Sequence, residues 1–194
     1  VPDPDVALND LERFTRNCSP GVLSELARQP VLLHYLLMLF GHSRFLSETL
    51  IQQPTLLAWL GRDKQLARVK SKDDLLEEYA RFEATAFEAD AAVVLARFKR
   101  REYLRITLKD ILGIAELAET TLELSTLADV LLEKALEIAT KELRSRYGSP
   151  QSSDASGRVV AARFAVVSLG KLGGNELNYS SDIDQLFLNA GAGE

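Results

Sequence analysis

Cysteine is almost absent: Cys18 is the single thiol in 194 residues. No internal disulfide can form, and a reducing compartment, the cytoplasm, is expected. Cys18 itself reads as a small buried hydrophobe. A basic excess is also missing, since 23 Lys and Arg stand against 28 Asp and Glu for a net charge of -5. That argues against a general nucleic-acid binder and favours a protein or small-molecule partner. No long hydrophobic run exists either. The most apolar stretch, Leu32 to Phe40, is interrupted by His34 and Tyr35, and it falls far short of the ~20 residues a membrane span needs. The opening Val1-Pro2-Asp3-Pro4-Asp5 is acidic where a signal peptide would be basic. What remains suits one domain, or one and a fragment. With 46% apolar residues the chain can bury a core.

Up to Tyr147 the apolar spacing and the caps read as helix after helix. Leu8, Leu11 and Phe14 make one stripe. Ser19-Pro20 opens a short helix, Pro30 another that stops at Gly41, Ser43 the next, and Pro54 one that closes at Gly61. Ser71 with Asp74 approximates a capping box. The pattern after it runs to about Leu112, with a break near Asp90, and Gly113 ends it. A second long pattern runs from Leu117 to Tyr147 and stops at Gly148. Residues 148–158, rich in Ser, Gly and Pro, read as a flexible linker without an element of its own.

Beyond the linker stand two strand candidates and the chemistry. The apolar run Arg163 to Leu169 breaks into Gly170-Lys171-Leu172-Gly173-Gly174-Asn175-Glu176-Leu177-Asn178-Tyr179-Ser180-Ser181, followed by Asp182-Ile183-Asp184-Gln185-Leu186-Phe187-Leu188. If Asp182 to Leu188 is extended, side chains two apart share a face and both aspartates project together. Adjacent carboxylates repel unless a cation lies between them, and Mg2+ with phosphate oxygens completing its shell is the usual occupant. Gly170, Gly173 and Gly174 let backbone approach a phosphate closely, Lys171 can meet one as a point charge, and Ser180 and Ser181 either contact phosphate or cap the turn. Asp182 and Asp184 are therefore the candidate catalytic and metal-holding residues. A P-loop fails on order, because its glycines precede the Lys. A Rossmann fingerprint fails on spacing, and an EF-hand from Asp182 would need glycine where Phe187 stands.

The apolar residue before Gly170, the ten residues between Lys171 and Asp182, and the aliphatic Ile183 resemble the signature of the DNA polymerase beta-like nucleotidyltransferases. Lys171 stands where Gly or Ser is usual, and Gln185 where an apolar residue is. The whole run 170–184 is similar to the signature of the glutamine synthetase adenylyltransferase/adenylyl-removing enzyme family. So are Arg101 to Ile106 with Asp110 to Gly113, Leu124-Ser125-Thr126-Leu127-Ala128-Asp129, and Phe40 to Leu46 with Pro54. The resemblance implies a mainly α chain with a small α+β part: a helical domain (1–147), the linker, and a partial nucleotidyltransferase domain (159–194). It also implies Mg2+-dependent transfer of AMP to or from a tyrosine of glutamine synthetase, with ATP, ADP and phosphate as substrates or products. A nitrogen-signalling PII protein is the implied regulator. The wording from Leu177 to Asp184 resembles the adenylyl-removing unit. The third carboxylate of the superfamily is expected outside this chain, which alone is then expected to be inactive. Two other readings are a non-catalytic helical module binding glutamine synthetase or a regulator, and another nucleotidyltransferase of the superfamily.

Arg97, Arg101, Arg105 and Lys109 recur every four residues. Such a face is expected to be solvated, with phosphate or an acidic partner as its functional alternative. His34 reads as a packed or interfacial residue, His42 as one at a helix C-terminus, and Trp59 as core.

Overall fold

The computed structural model describes residues 2–62, 65–86, 90–153 and 156–190. They form two compact units, Val1–Lys70 with Arg97–Thr120 and Ser71–Ala96 with Thr121–Glu194. Helix dominates, with a few short antiparallel strands. No helix among the described residues is long and apolar enough to cross a membrane.

In the first unit, proline opens three successive helices, α1 (Pro4–Asn17), α2 (Pro20–Arg28) and α3 (Pro30–His42). Its φ suits the first helical position and its missing N–H is not needed there. Asp3 caps α1 by accepting from the Val6 amide at 3.0 Å, whereas Ser19 makes no side-chain cap bond to α2. Ser43 caps α4 (Arg44–Gln52), and α5 (Thr55–Leu60) follows Pro54. Helix α3 passes through Gly41, where it was expected to stop, and ends at His42, whose Nδ1 lies 2.7 Å from the Met38 carbonyl oxygen. His34 is exposed rather than packed. Phe14, Leu36, Phe40 and Leu50 are shut off from solvent together with Leu104 and Leu108 of α7 (Ala91–Ile111).

The basic face of α7 is not solvated. Arg97 is exposed, but Arg101, Arg105 and Lys109 are buried. A buried cation needs a counter-charge, and Glu102, fully buried among them, supplies one. Its carboxylate accepts from Arg101 Nε at 3.1 Å and Nη2 at 2.8 Å, from Arg105 Nε at 2.8 Å, and from Lys70 Nζ at 3.1 Å. The guanidinium of Arg101 also lies over the half-buried Trp59 ring, 4.6 Å from its centroid. Burial by itself pushes the Glu102 carboxyl up. Arg105, Lys70 and Arg101 together outweigh that, so it titrates below the usual glutamate range.

In the second unit, α6 (Lys72–Thr85) starts with a reciprocal cap: Ser71 N donates to Asp74 Oδ2 at 2.9 Å, and Asp74 N to Ser71 Oγ at 3.2 Å. The helical pattern does break before α7, although residues 87–89 lie outside the described ones. Helix α8 (Leu117–Tyr147) has the bounds its pattern gave. The stretch read as a linker contains a strand: β1 (Gln151–Ser153) pairs antiparallel with β2 (Val159–Ala161). Ser and Gln disguise it, because backbone pairing with the valines decides the structure here rather than side-chain propensity.

Strands β3 (Phe164–Ser168) and β4 (Gln185–Asn189) pair antiparallel, from Phe164 opposite Asn189 to Ser168 opposite Gln185. They were expected to pack on helices, yet their apolar side chains stay open, Phe164 at 52% and Phe187 at 61% exposure. In the connection between them two residues are buried, Leu172 and Leu177.

Candidate functional site

That connection holds every candidate residue. It is closed at its base by the Leu169 amide, which donates to the Asp184 carbonyl at 2.9 Å, one step beyond the β3–β4 ladder. The single turn α9 (Gly170–Gly173) comes next. Gly170 has φ of +57°, and a Cβ built on it would stand 3.3 Å from Asp184 Oδ2. Glycine therefore serves twice there, by reaching the left-handed region and by letting a carboxylate lie against the backbone.

Gly173 has a different task. A Cβ on it would fall 2.6 Å from the Ser168 carbonyl oxygen, closer than such atoms ever come. Its amide donates to Leu169 O and that of Gly174 to Gly170 O, both at 3.2 Å. Both N–H groups are committed to the turn, so these two glycines shape it rather than offer amides to a phosphate. Gly174 has no such crowding, with 3.8 Å to the nearest atom. Gly173→Ala is accordingly expected to cost about 1–3 kcal/mol through forced backbone displacement, while Gly174→Ala stays within ~0.5 kcal/mol. Thermal unfolding of the two variants checks this, and equal melting temperatures would contradict it.

The strand starts at Gln185, so Asp182 and Asp184 precede it instead of opening it. The reason lies just upstream. Asn178 Oδ1 accepts from Ser181 Oγ at 2.6 Å and from the Ser180 amide at 3.2 Å, and Asn178 N donates to Ser181 Oγ at 3.2 Å. Asn beside Ser favours such a side-chain-closed turn, and it carries the chain toward Asp182 in a non-strand conformation. The Ser180 hydroxyl also donates to Asn178 Oδ1, at 3.4 Å. Both serines thus take the capping part. Both aspartates are exposed, and among the described residues neither carboxylate has a hydrogen-bond or ion-pair partner. Lys171 is exposed too.

Two residues given no role from the sequence hold this connection. Ser125 of α8, with no exposure, accepts from the Leu177 amide at 3.0 Å while donating to the Thr121 carbonyl at 2.8 Å. In the sequence it stood inside the segment Leu124–Asp129 that is similar to the family's, without a role of its own. Asn178 was visible only as part of the run 170–184 that is similar to the family's signature.

Chemically, the connection presents two carboxylates with hard oxygen donors and, among the described residues, no competing protein partner, which fits a hard divalent cation. It does not present a complete shell, since no group of three or more His, Cys, Asp or Glu capable of holding a metal occurs among the described residues.

By its fold the chain is of the mainly α class, with a small antiparallel β part bearing a glycine turn and an aspartate pair. A model of the glutamate-ammonia ligase adenylyltransferase family matches residues 33–194. A bifunctional glutamine synthetase adenylyltransferase/adenylyl-removing enzyme from Thioalkalivibrio sulfidiphilus is 32% identical over 197 residues, covering 99% of this chain and 20% of the relative. One from Nitrosococcus oceani is 34% identical over 171 residues, covering 86% of this chain and 17% of the relative. A third, from Shewanella loihica, is 33% identical over 158 residues, covering 80% and 16%. The chain belongs to the glutamate-ammonia ligase adenylyltransferase family. It spans about a fifth of the length of the curated relatives it matches.

Proposed function

We propose that the connection from Gly170 to Asp184 is the metal-carboxylate corner of a polymerase beta-like nucleotidyl-transfer site. In the full-length protein it moves AMP on a tyrosine of glutamine synthetase, under the control of a PII protein. The observation that carries this is the placement of the Asp184 carboxylate against Gly170, 3.3 Å from where a Cβ would be, beside an exposed Lys171. Asp182 and Asp184 would hold Mg2+, with a further carboxylate outside the described residues completing the set. When bound, the ion supplies Lewis-acid polarisation of the phosphoryl oxygens. Lys171 steadies phosphate by its charge, and Gly170 leaves room for phosphate and carboxylate at one backbone position. Gly173, Gly174 and the Asn178–Ser181 turn fix the loop on which the carboxylates sit. Positioning and electrostatic stabilisation carry most of the catalysis in phosphoryl transfer, so such a rigid base matters more than any nucleophile from the chain.

The direction follows from the wording of residues 177–184, which resembles the adenylyl-removing unit. There inorganic phosphate attacks the adenylyl phosphorus, the tyrosine oxygen departs with a proton, and ADP is released. The full-length protein, with any second transferase unit inactivated, is expected to form ADP from adenylylated glutamine synthetase only when phosphate is added. Transfer of AMP from ATP to unmodified glutamine synthetase at a comparable rate would reverse the assignment.

A further inference from the structure

Ser125 lies on α8, 57 positions before Asp182, and it has been given no part in the chemistry. Its hydroxyl oxygen nevertheless holds a long-range polar contact between a helix of the second unit and the carboxylate-bearing loop: the Leu177 amide donates to it at 3.0 Å. The contact is built to be rigid. Ser125 has no exposure and Leu177 has 3%, so water does not compete for the bond. The hydroxyl proton is fixed by donation to the Thr121 carbonyl at 2.8 Å, which leaves the oxygen lone pairs toward Leu177. Leu177 adjoins Asn178, whose side chain and amide lock Ser180 and Ser181, and Asp182 follows directly. An unbroken run of hydrogen bonds and peptide units thus leads from the helix interior to the first carboxylate.

We infer that Ser125 is a positioning residue for nucleotidyl transfer: its hydroxyl sets where the Asn178 turn stands, and through it where Asp182 meets the metal and the phosphate. The inference rests on the reading of Asp182 and Asp184 as the metal-holding pair. Removing the hydroxyl leaves a buried N–H unsatisfied and frees the loop to shift. A displacement of about 1 Å at a reacting centre can cost up to ~100-fold in rate.

The test uses the full-length protein with adenylylated glutamine synthetase, phosphate and Mg2+, and compares Ser125→Ala, Ser125→Thr and Asp182→Asn with the parent. Ser125→Ala is expected to lower kcat by roughly 10- to 100-fold, with KM for glutamine synthetase unchanged within about twofold and the Mg2+ concentration for half-maximal rate raised. Ser125→Thr, which keeps the oxygen, recovers most of the loss. Independently of activity, hydrogen exchange should speed up at the Leu177 amide and across residues 177–182 in Ser125→Ala, while the interior of α8 keeps its protection. If the alanine variant fails to fold, Ser125→Cys, with a weaker acceptor of similar size, replaces it with the same expectations. Parent kcat in Ser125→Ala beside a silent Asp182→Asn overturns this inference alone. So does a uniform loss of exchange protection along α8, which marks a purely structural serine. An active Asp182→Asn overturns the reading of the site and this inference with it.

Discussion

Replacing Glu102 with glutamine is expected to destabilise the first unit by about 3–5 kcal/mol, the cost of breaking a buried ion cluster by removing one partner. Glu102 has no exposure and answers Arg101, Arg105 and Lys70 at 2.8 to 3.1 Å. Glutamine keeps the shape, removes the charge and turns an NH2 donor toward donors. The readout is built in, since Trp59 is the single tryptophan and stacks with Arg101 and Lys70. Urea unfolding followed by its fluorescence should give a much lower midpoint in the variant at neutral pH. The pH dependence has a definite sign. A carboxyl held below its unfolded value contributes stability that is complete above the unfolded pKa of about 4.3. That contribution is lost as pH falls through the lower folded value. The gap between parent and variant should therefore narrow only below about pH 4.3, and a gap constant down to pH 2 would contradict the role given to Glu102.

The same residues mark where the sequence was legible and where it was not. Caps and apolar spacing are local, so the Ser43 and Ser71 caps and the limits of α8 could be read directly. The four-residue basic repeat could not, because its burial depends on Lys70 reaching Glu102 from 32 positions away. Glu102, inside that repeat, is the acceptor that Arg101, Arg105 and Lys70 share. At the candidate site the pattern located the glycine turn and both aspartates. It put the strand start three residues too early, at Asp182 instead of Gln185, because alternation in Asp182-Ile183-Asp184 does not reveal that the Asn178 turn has bent the chain. Ser125 was hidden for the reason Lys70 was: its contact spans 52 positions, and no local rule reports it.

Asp182→Asn in the full-length protein is expected to reduce adenylyl removal by about a thousandfold or more, since electrostatic stabilisation of the transferring phosphoryl group is the largest contribution available to such a site. Asn keeps the size and one oxygen but loses the charge that competes for a divalent ion. Asp184→Asn should lose activity to the same degree and for one further reason. Its carboxylate lies against Gly170, so the substitution removes the negative charge at the backbone position proposed to bring metal and phosphate together. Stability should barely move in either variant. Both side chains are exposed, neither has a protein partner among the described residues, and exposed substitutions of this kind stay within ~0.5 kcal/mol. Relief of repulsion between the two carboxylates also works in the stabilising direction. The decisive comparison is therefore turnover against melting temperature on the same preparations. Lost turnover with an unchanged transition assigns the chemistry to the pair. Retained turnover in either variant would place the chemistry elsewhere in the polypeptide, and a parallel drop in melting temperature would mean that the aspartates hold the loop together rather than a metal.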